Sequence, residues 1–98
     1  MPVFRLSAKA LEDLRSIGRY TQEKWGIEQR NKYLFQLDAG FHSISNHPEI
    51  GKDCSYIRLG YRKYHVGRHL IFYRKDVSNI EIIRILHDCM DVSRHLAE

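Results

Sequence analysis

The stretch His69-Leu70-Ile71-Phe72-Tyr73-Arg74-Lys75, the turn Asp76-Val77-Ser78-Asn79 and the stretch Ile80-Glu81-Ile82-Ile83-Arg84-Ile85-Leu86-His87 decide the fold. Each run is short and rich in β-branched and aromatic residues, which fits a strand better than a helix. Alternation sets Leu70 and Phe72 against Ile71 and Tyr73, and Ile80 and Ile82 against Ile83 and Ile85. Both faces of both strands are then apolar, and such strands belong in the middle of a sheet covered on both sides. Working back, Ile57–Val66 reads as another strand, broken at Gly60 by a hairpin turn or bulge, and Gly67-Arg68 links it to the next. Residues 48–55 read as a loop.

Before Pro48 the apolar period is helical. Ser7 is a good helix N-cap, because its hydroxyl accepts from free amides of the first turn, and Glu12 and Asp13 follow near that positive end. Leu11, Leu14, Gly18, Thr21 and Trp25, with Ile17 alongside, form one buried stripe. Gly26 suits the cap that ends the helix. A second helix starts at Ile27 or Glu28, carries the stripe Leu34, Leu37, Phe41 and Ile44 with Tyr33 at its margin, and stops before Pro48. So short a link makes an antiparallel helical hairpin. Residues 2–6 form an extended piece that joins the sheet edge. The expected fold is α+β: an N-terminal strand and a helical hairpin packed on a small antiparallel β-sheet, with a short C-terminal helix over Asp91–Ala97 on the sheet's other side.

The chain of 98 residues is one domain, 1–98, with 43% hydrophobic and 29% charged residues. That balance excludes a disordered chain. The longest wholly apolar run, Leu70–Tyr73, is far too short for a membrane span. No basic segment followed by an apolar run opens the chain, and Cys54 and Cys89 form no CxxC motif, so a reducing cytoplasm is expected. The charge is uneven. Residues 52–75 hold seven bases and one acid, giving +6, against a net +4 for the whole chain. Such a block attracts anionic partners, or it is a solvated strand face with none.

Histidines stand at 42, 47, 65, 69, 87 and 95, without a HExxH or a convincing metal spacing, and no metal or cofactor is expected. There is no phosphate-binding glycine loop and no GxSxG. The remaining cluster is basic and aromatic: Arg58, Arg62, Tyr64, Arg68, His69, Tyr73, Arg74, Arg84 and His87. Metal-free RNA cleavage needs a base, a proton donor and cations, which these side chains supply by type. Alternatively Arg84, set between isoleucines in a central strand, is structural and paired with Asp88 or a backbone carbonyl.

The whole chain resembles the ParE-type toxins of bacterial toxin–antitoxin systems, within the RelE/ParE superfamily. The resemblance rests on Leu6-Ser7, Asp13-Leu14, Tyr20-Thr21, Trp25-Gly26 and Glu28-Gln29. It continues through Asn46-His47-Pro48, Ile50-Gly51, Tyr61-Arg62-Lys63-Tyr64 and Val66-Gly67-Arg68-His69-Leu70-Ile71-Phe72-Tyr73-Arg74. It closes with Ile82–His87, Met90-Asp91 and Arg94-His95-Leu96. The resemblance implies a toxin that is not itself an enzyme. It stabilises the complex of DNA gyrase with cleaved DNA and is neutralised by a ParD-type antitoxin, through which alone it meets operator DNA. RelE-type relatives instead cut mRNA on the ribosome, commonly with a tyrosine or histidine near the C-terminus. Here His87 keeps that possibility, but Asp88 and Cys89 follow it and no tyrosine lies beyond Tyr73.

An antitoxin tail for this surface is acidic and amphipathic, and folds on binding. Arg58, Arg62, Arg68 and Arg74 are the candidates for its carboxylates, and Tyr20, Trp25 and Tyr33 for its apolar anchors. Arg68, His69, Arg84, His87, Met90 and Arg94 are the candidates for gyrase contact. Charge reversal at Arg68 or Arg84 is expected to lower toxicity without loss of folding.

Overall fold

The computed structural model describes residues 3–89 and Leu96. Strand β1 (Val3–Leu6) leads into helix α1 (Ala8–Trp25), helix α2 (Ile27–Asn46), and strands β2 (Lys52–Asp53), β3 (Tyr61–Val66), β4 (His69–Lys75) and β5 (Asn79–His87). The five strands form one sheet in the order β1-β5-β4-β3-β2. β1 runs parallel to β5, with Phe4 opposite Ile80 and Leu6 opposite Ile82, and the other pairings are antiparallel. The N-terminal strand does join the edge, and the sheet is mixed because of it.

Ser7 caps α1 as expected, accepting the Ala10 amide at 3.0 Å, and its hydroxyl also donates to the Ile83 carbonyl at 2.7 Å. One residue therefore starts the helix and ties it to β5. Gly26, with φ +93°, ends α1 and begins α2 without a loop. The helices approach closely where a Cβ on Gly18 would lie 3.5 Å from Leu34.

The sheet has two apolar faces. The helical hairpin covers one, burying Leu37, Phe41 and Ile44 with Ile71, Tyr73, Ile80, Ile82 and Ile85. On the other face Cys54, Tyr61, Phe72 and Leu86 pack with Leu96. The short C-terminal helix expected over residues 91–97 lies outside the described residues, apart from Leu96, which is buried on the expected side.

Four expectations are corrected. Phe72 pairs with Arg84 but Tyr73 with Ile82, so Ile83 is an extra residue and β5 carries a bulge. Beyond it the alternation changes phase: Ile85 joins Ile80 and Ile82 under the helices, while Ile83 packs on the opposite face. The buried stripe of α1 is Ala10, Ile17, Gly18 and Thr21, whereas Leu11 and Trp25 are exposed, Trp25 at 65%. Ile17, Gly18 and Thr21 of the expected stripe are buried and Leu14 packs on the core, so only its ends differ: Ala10 is buried in place of Leu11, and Trp25 lies open at the far end. Glu12 and Asp13, expected near the positive end of α1, lie beyond its first turn. Finally, the strand expected from Ile57 begins only at Tyr61, after Gly60 turns at φ +85°, and the loop before it contains β2.

Candidate functional site

The ends of α1 and α2 overhang the turn between β3 and β4, and the overhang leaves a groove of about 640 Å³. Ile17, Tyr20, Thr21 and Lys24 of α1 line one side, Gln29 and Tyr33 of α2 another, with Trp25 at the helical junction. Arg68, His69 and His87 close it from the sheet. Trp25 and Tyr20 are exposed although apolar, at 65% and 59%. Lys24 sits over the Tyr20 ring, 5.6 Å from its centroid. The groove is thus an aromatic trough with a cation at Lys24 and another at Arg68.

Its sheet end is tightly ordered. Tyr33 Oη lies 2.5 Å from His69 Nδ1 and accepts the Arg68 amide N–H at 3.1 Å. The His69 ring meets His87 edge-on, with centroids 5.4 Å apart. Burial, and then the charge of His87, push the His69 imidazole down from 6.5 to about 4, so it is neutral at physiological pH. Burial likewise raises the Tyr33 phenol. A neutral His69 accepts the Tyr33 O–H at Nδ1 and carries its own proton on Nε2. Gly67, at φ +58°, lets the turn pass beneath Tyr33, since a Cβ there would lie 2.7 Å from the ring.

The structure sorts the sequence candidates differently from the sequence reading. Tyr20, Trp25 and Tyr33, read as antitoxin anchors, share this groove with Arg68, His69 and His87, read as target contacts. The other arginines lie elsewhere. Arg62 donates to the Gly51 carbonyl at 2.7 Å. Arg74 pairs with Glu81 at 2.9 Å and, with Arg58, lines a second depression on the far face of the sheet. Arg84 meets Asp13 of α1 through Nε at 2.8 Å and Nη2 at 3.0 Å, each side chain only 16% exposed. Asp13 also accepts the Ile85 amide at 3.0 Å. The structural alternative for Arg84 therefore holds, with Asp13 as its carboxylate instead of Asp88. Met90 and Arg94 lie outside the described residues.

One grouping escaped the sequence reading. His87, Asp88 and Cys89 bring possible ligand atoms within 4.8 Å of one another. Helical and CxxC spacings do not find it, because it forms where a strand ends in a turn; the consecutive His-Asp-Cys was the signal.

Comparison with known proteins gives the context. The family described as ParE toxin of type II toxin–antitoxin system, parDE, matches residues 4–92. A protein named Toxin ParE1 from Caulobacter vibrioides is 41% identical over 96 residues, covering 98% of this chain and 99% of its own. Another of that name from Mycobacterium tuberculosis is 38% identical over 94 residues, covering 95% and 96%. Among solved structures, the chromosomal ParDE system from P. aeruginosa superposes with a TM-score of 0.77 at 19% identity, covering 89% of this chain and 96% of that one. The toxin–antitoxin complex RelBE2 from Mycobacterium tuberculosis gives 0.65 at 20% identity, covering 89% and 99%. The expected α+β class, a helical hairpin on a small sheet, agrees with both.

Proposed function

The chain belongs to the ParE toxin family of type II toxin–antitoxin systems, and on that premise we propose that it stabilises the complex of DNA gyrase with cleaved DNA and is neutralised by a ParD-type antitoxin in the cytoplasm. The observation that carries this reading is the groove between the helical hairpin and the β3–β4 turn. It exposes Trp25 and Tyr20 beside Lys24 and Arg68. An amphipathic acidic helix meets those needs: its apolar side covers the aromatics and its carboxylates reach the two cations. Because Arg68, His69 and His87 line the same groove, an antitoxin seated there covers them, and neutralisation is direct occlusion of target-contacting residues.

Cleavage of mRNA fits the groove less well. Among the sheet arginines of the described residues, Arg68 alone lines it, while Arg62, Arg74 and Arg84 are engaged elsewhere. A phosphoryl transition state wants several converging donors.

The test is to add the purified protein to gyrase, supercoiled plasmid and ATP, trap complexes with detergent, and measure linear DNA, with translating ribosomes and a reporter mRNA in parallel. Linear plasmid with intact mRNA supports the proposal. Intact plasmid with codon-spaced mRNA cuts overturns it in favour of a RelE-type activity. Trp25→Ala is expected to weaken binding of the antitoxin tail by at least about tenfold, the loss of one buried aromatic anchor.

A further inference from the structure

We propose that His87, Asp88 and Cys89, with His65 as a fourth donor, form a site for a divalent transition metal, Zn²⁺ by ligand preference, at the end of β5. Tetrahedral zinc with bonds of about 2.0–2.3 Å holds its ligand atoms about 3.3–3.8 Å apart. Asp88 already has three such neighbours. Its Oδ1 lies 3.4 Å from His87 Nδ1 and 3.5 Å from Cys89 Sγ, and its Oδ2 lies 3.6 Å from His65 Nε2. His87, Asp88 and Cys89 thus bring one ligand atom each within 4.8 Å of one another, and His65, which contacts Asp88 through its other oxygen, swings in to complete the shell.

The donors come from two parts of the fold. His65 stands near the end of β3, and the other three follow one another from the last residue of β5 into the turn. The Asp88 amide donates to the Arg68 carbonyl at 2.9 Å, which fixes the turn against the β3–β4 hairpin before any ion arrives. His87 Nδ1 accepts the Cys89 amide at 3.1 Å, the contact that an ion on Nδ1 takes over. One imidazole or two, a carboxylate and a thiolate form a mixed N/O/S set that suits zinc and disfavours magnesium or calcium. Asp88 and Cys89 are exposed, so the ion enters from solvent and keeps a water where His65 does not reach. Binding displaces the Cys89 thiol proton. Because His87 also lines the groove and meets the His69 ring edge-on, the ion fixes one wall of the groove.

The experiment titrates Zn²⁺ alone into the full-length chain, kept reduced with a phosphine, by calorimetry, with Co²⁺ as the optical probe. Expected are one saturable site per chain, a thiolate-to-cobalt charge-transfer band, and a rise in Tm with added Zn²⁺. Cys89→Ser and Asp88→Asn each weaken binding at least about tenfold and Cys89→Ser removes the band, while His42→Asn, which alters another exposed histidine–carboxylate pair, leaves the affinity unchanged. Circular dichroism checks that each variant is folded. Absence of saturable binding in the wild-type chain overturns the proposal, as does an affinity or a cobalt band that survives Cys89→Ser. Binding lost in His42→Asn but retained in Asp88→Asn overturns it too, by placing the ion elsewhere.

Discussion

Replacing Asp13 with alanine removes one carboxylate that serves three donors: Arg84 Nε at 2.8 Å, Arg84 Nη2 at 3.0 Å and the Ile85 amide at 3.0 Å. The variant leaves Arg84 without its carboxylate at a position 16% exposed, and strips an amide of its acceptor in a strand that α1 covers. Breaking a buried pair from one side costs roughly 3–5 kcal/mol. The residual exposure lowers that, and the Ile85 amide adds about 1 kcal/mol, so a loss of about 3 kcal/mol is expected. A domain of this size has a total stability of about 5–15 kcal/mol, and a loss of that size lowers Tm by roughly 15 °C. Urea denaturation followed by circular dichroism measures it. Arg84→Glu, which sets two carboxylates face to face, is expected to be at least as damaging, whereas Arg68→Glu on the exposed turn leaves the midpoint near wild type. An Asp13→Ala midpoint within about 1 kcal/mol of wild type, with an unchanged slope, refutes the reasoning.

Two further outcomes follow from the same geometry. His69 titrates at about 4 when folded against 6.5 ordinarily, so the unfolded chain binds the proton more readily. Its contribution is complete above pH 6.5 and declines as the pH falls towards 4, and because solvent screens the half-buried ring the loss at pH 5 is about 1 kcal/mol; urea midpoints across pH 4.5–7.5 show this slope in the wild type, and a flatter one in His69→Gln. Tyr73 is buried, accepts the Gly51 amide at 2.8 Å and donates to the Pro48 carbonyl at 2.8 Å. Tyr73→Phe abandons both, so a loss of about 1–3 kcal/mol is expected in the same assay.

Much of the fold was legible in local pattern. The Ser7 cap, the Gly26 junction and the doubly apolar β4 and β5 are each signalled within a few residues. What was not legible is non-local. Nothing near Arg84 in the chain indicates that its carboxylate lies 71 residues earlier. The bulge at Ile83 is invisible for a related reason: an unbroken apolar run reads alike with or without an extra residue, and only the pairing with β4 reveals the phase change. The groove followed the same rule. Tyr20, Trp25, Tyr33, Arg68, His69 and His87 were each noticed, but Tyr33 and His69 stand 36 residues apart, and only the folded chain shows that they meet.

The parallel pairing of β1 with β5 sets a timetable for synthesis. Residues 3–6 are made before both helices and three further strands, yet their partners are residues 79–82 of β5. Until then the helical hairpin has no complete sheet to lie on, and the groove lacks His87. Closing so long a loop late is slow relative to forming local helices. A nascent chain therefore has no complete groove until β5 has been made and has folded, and a product stopped short of β5 keeps its N-terminal strand unpaired.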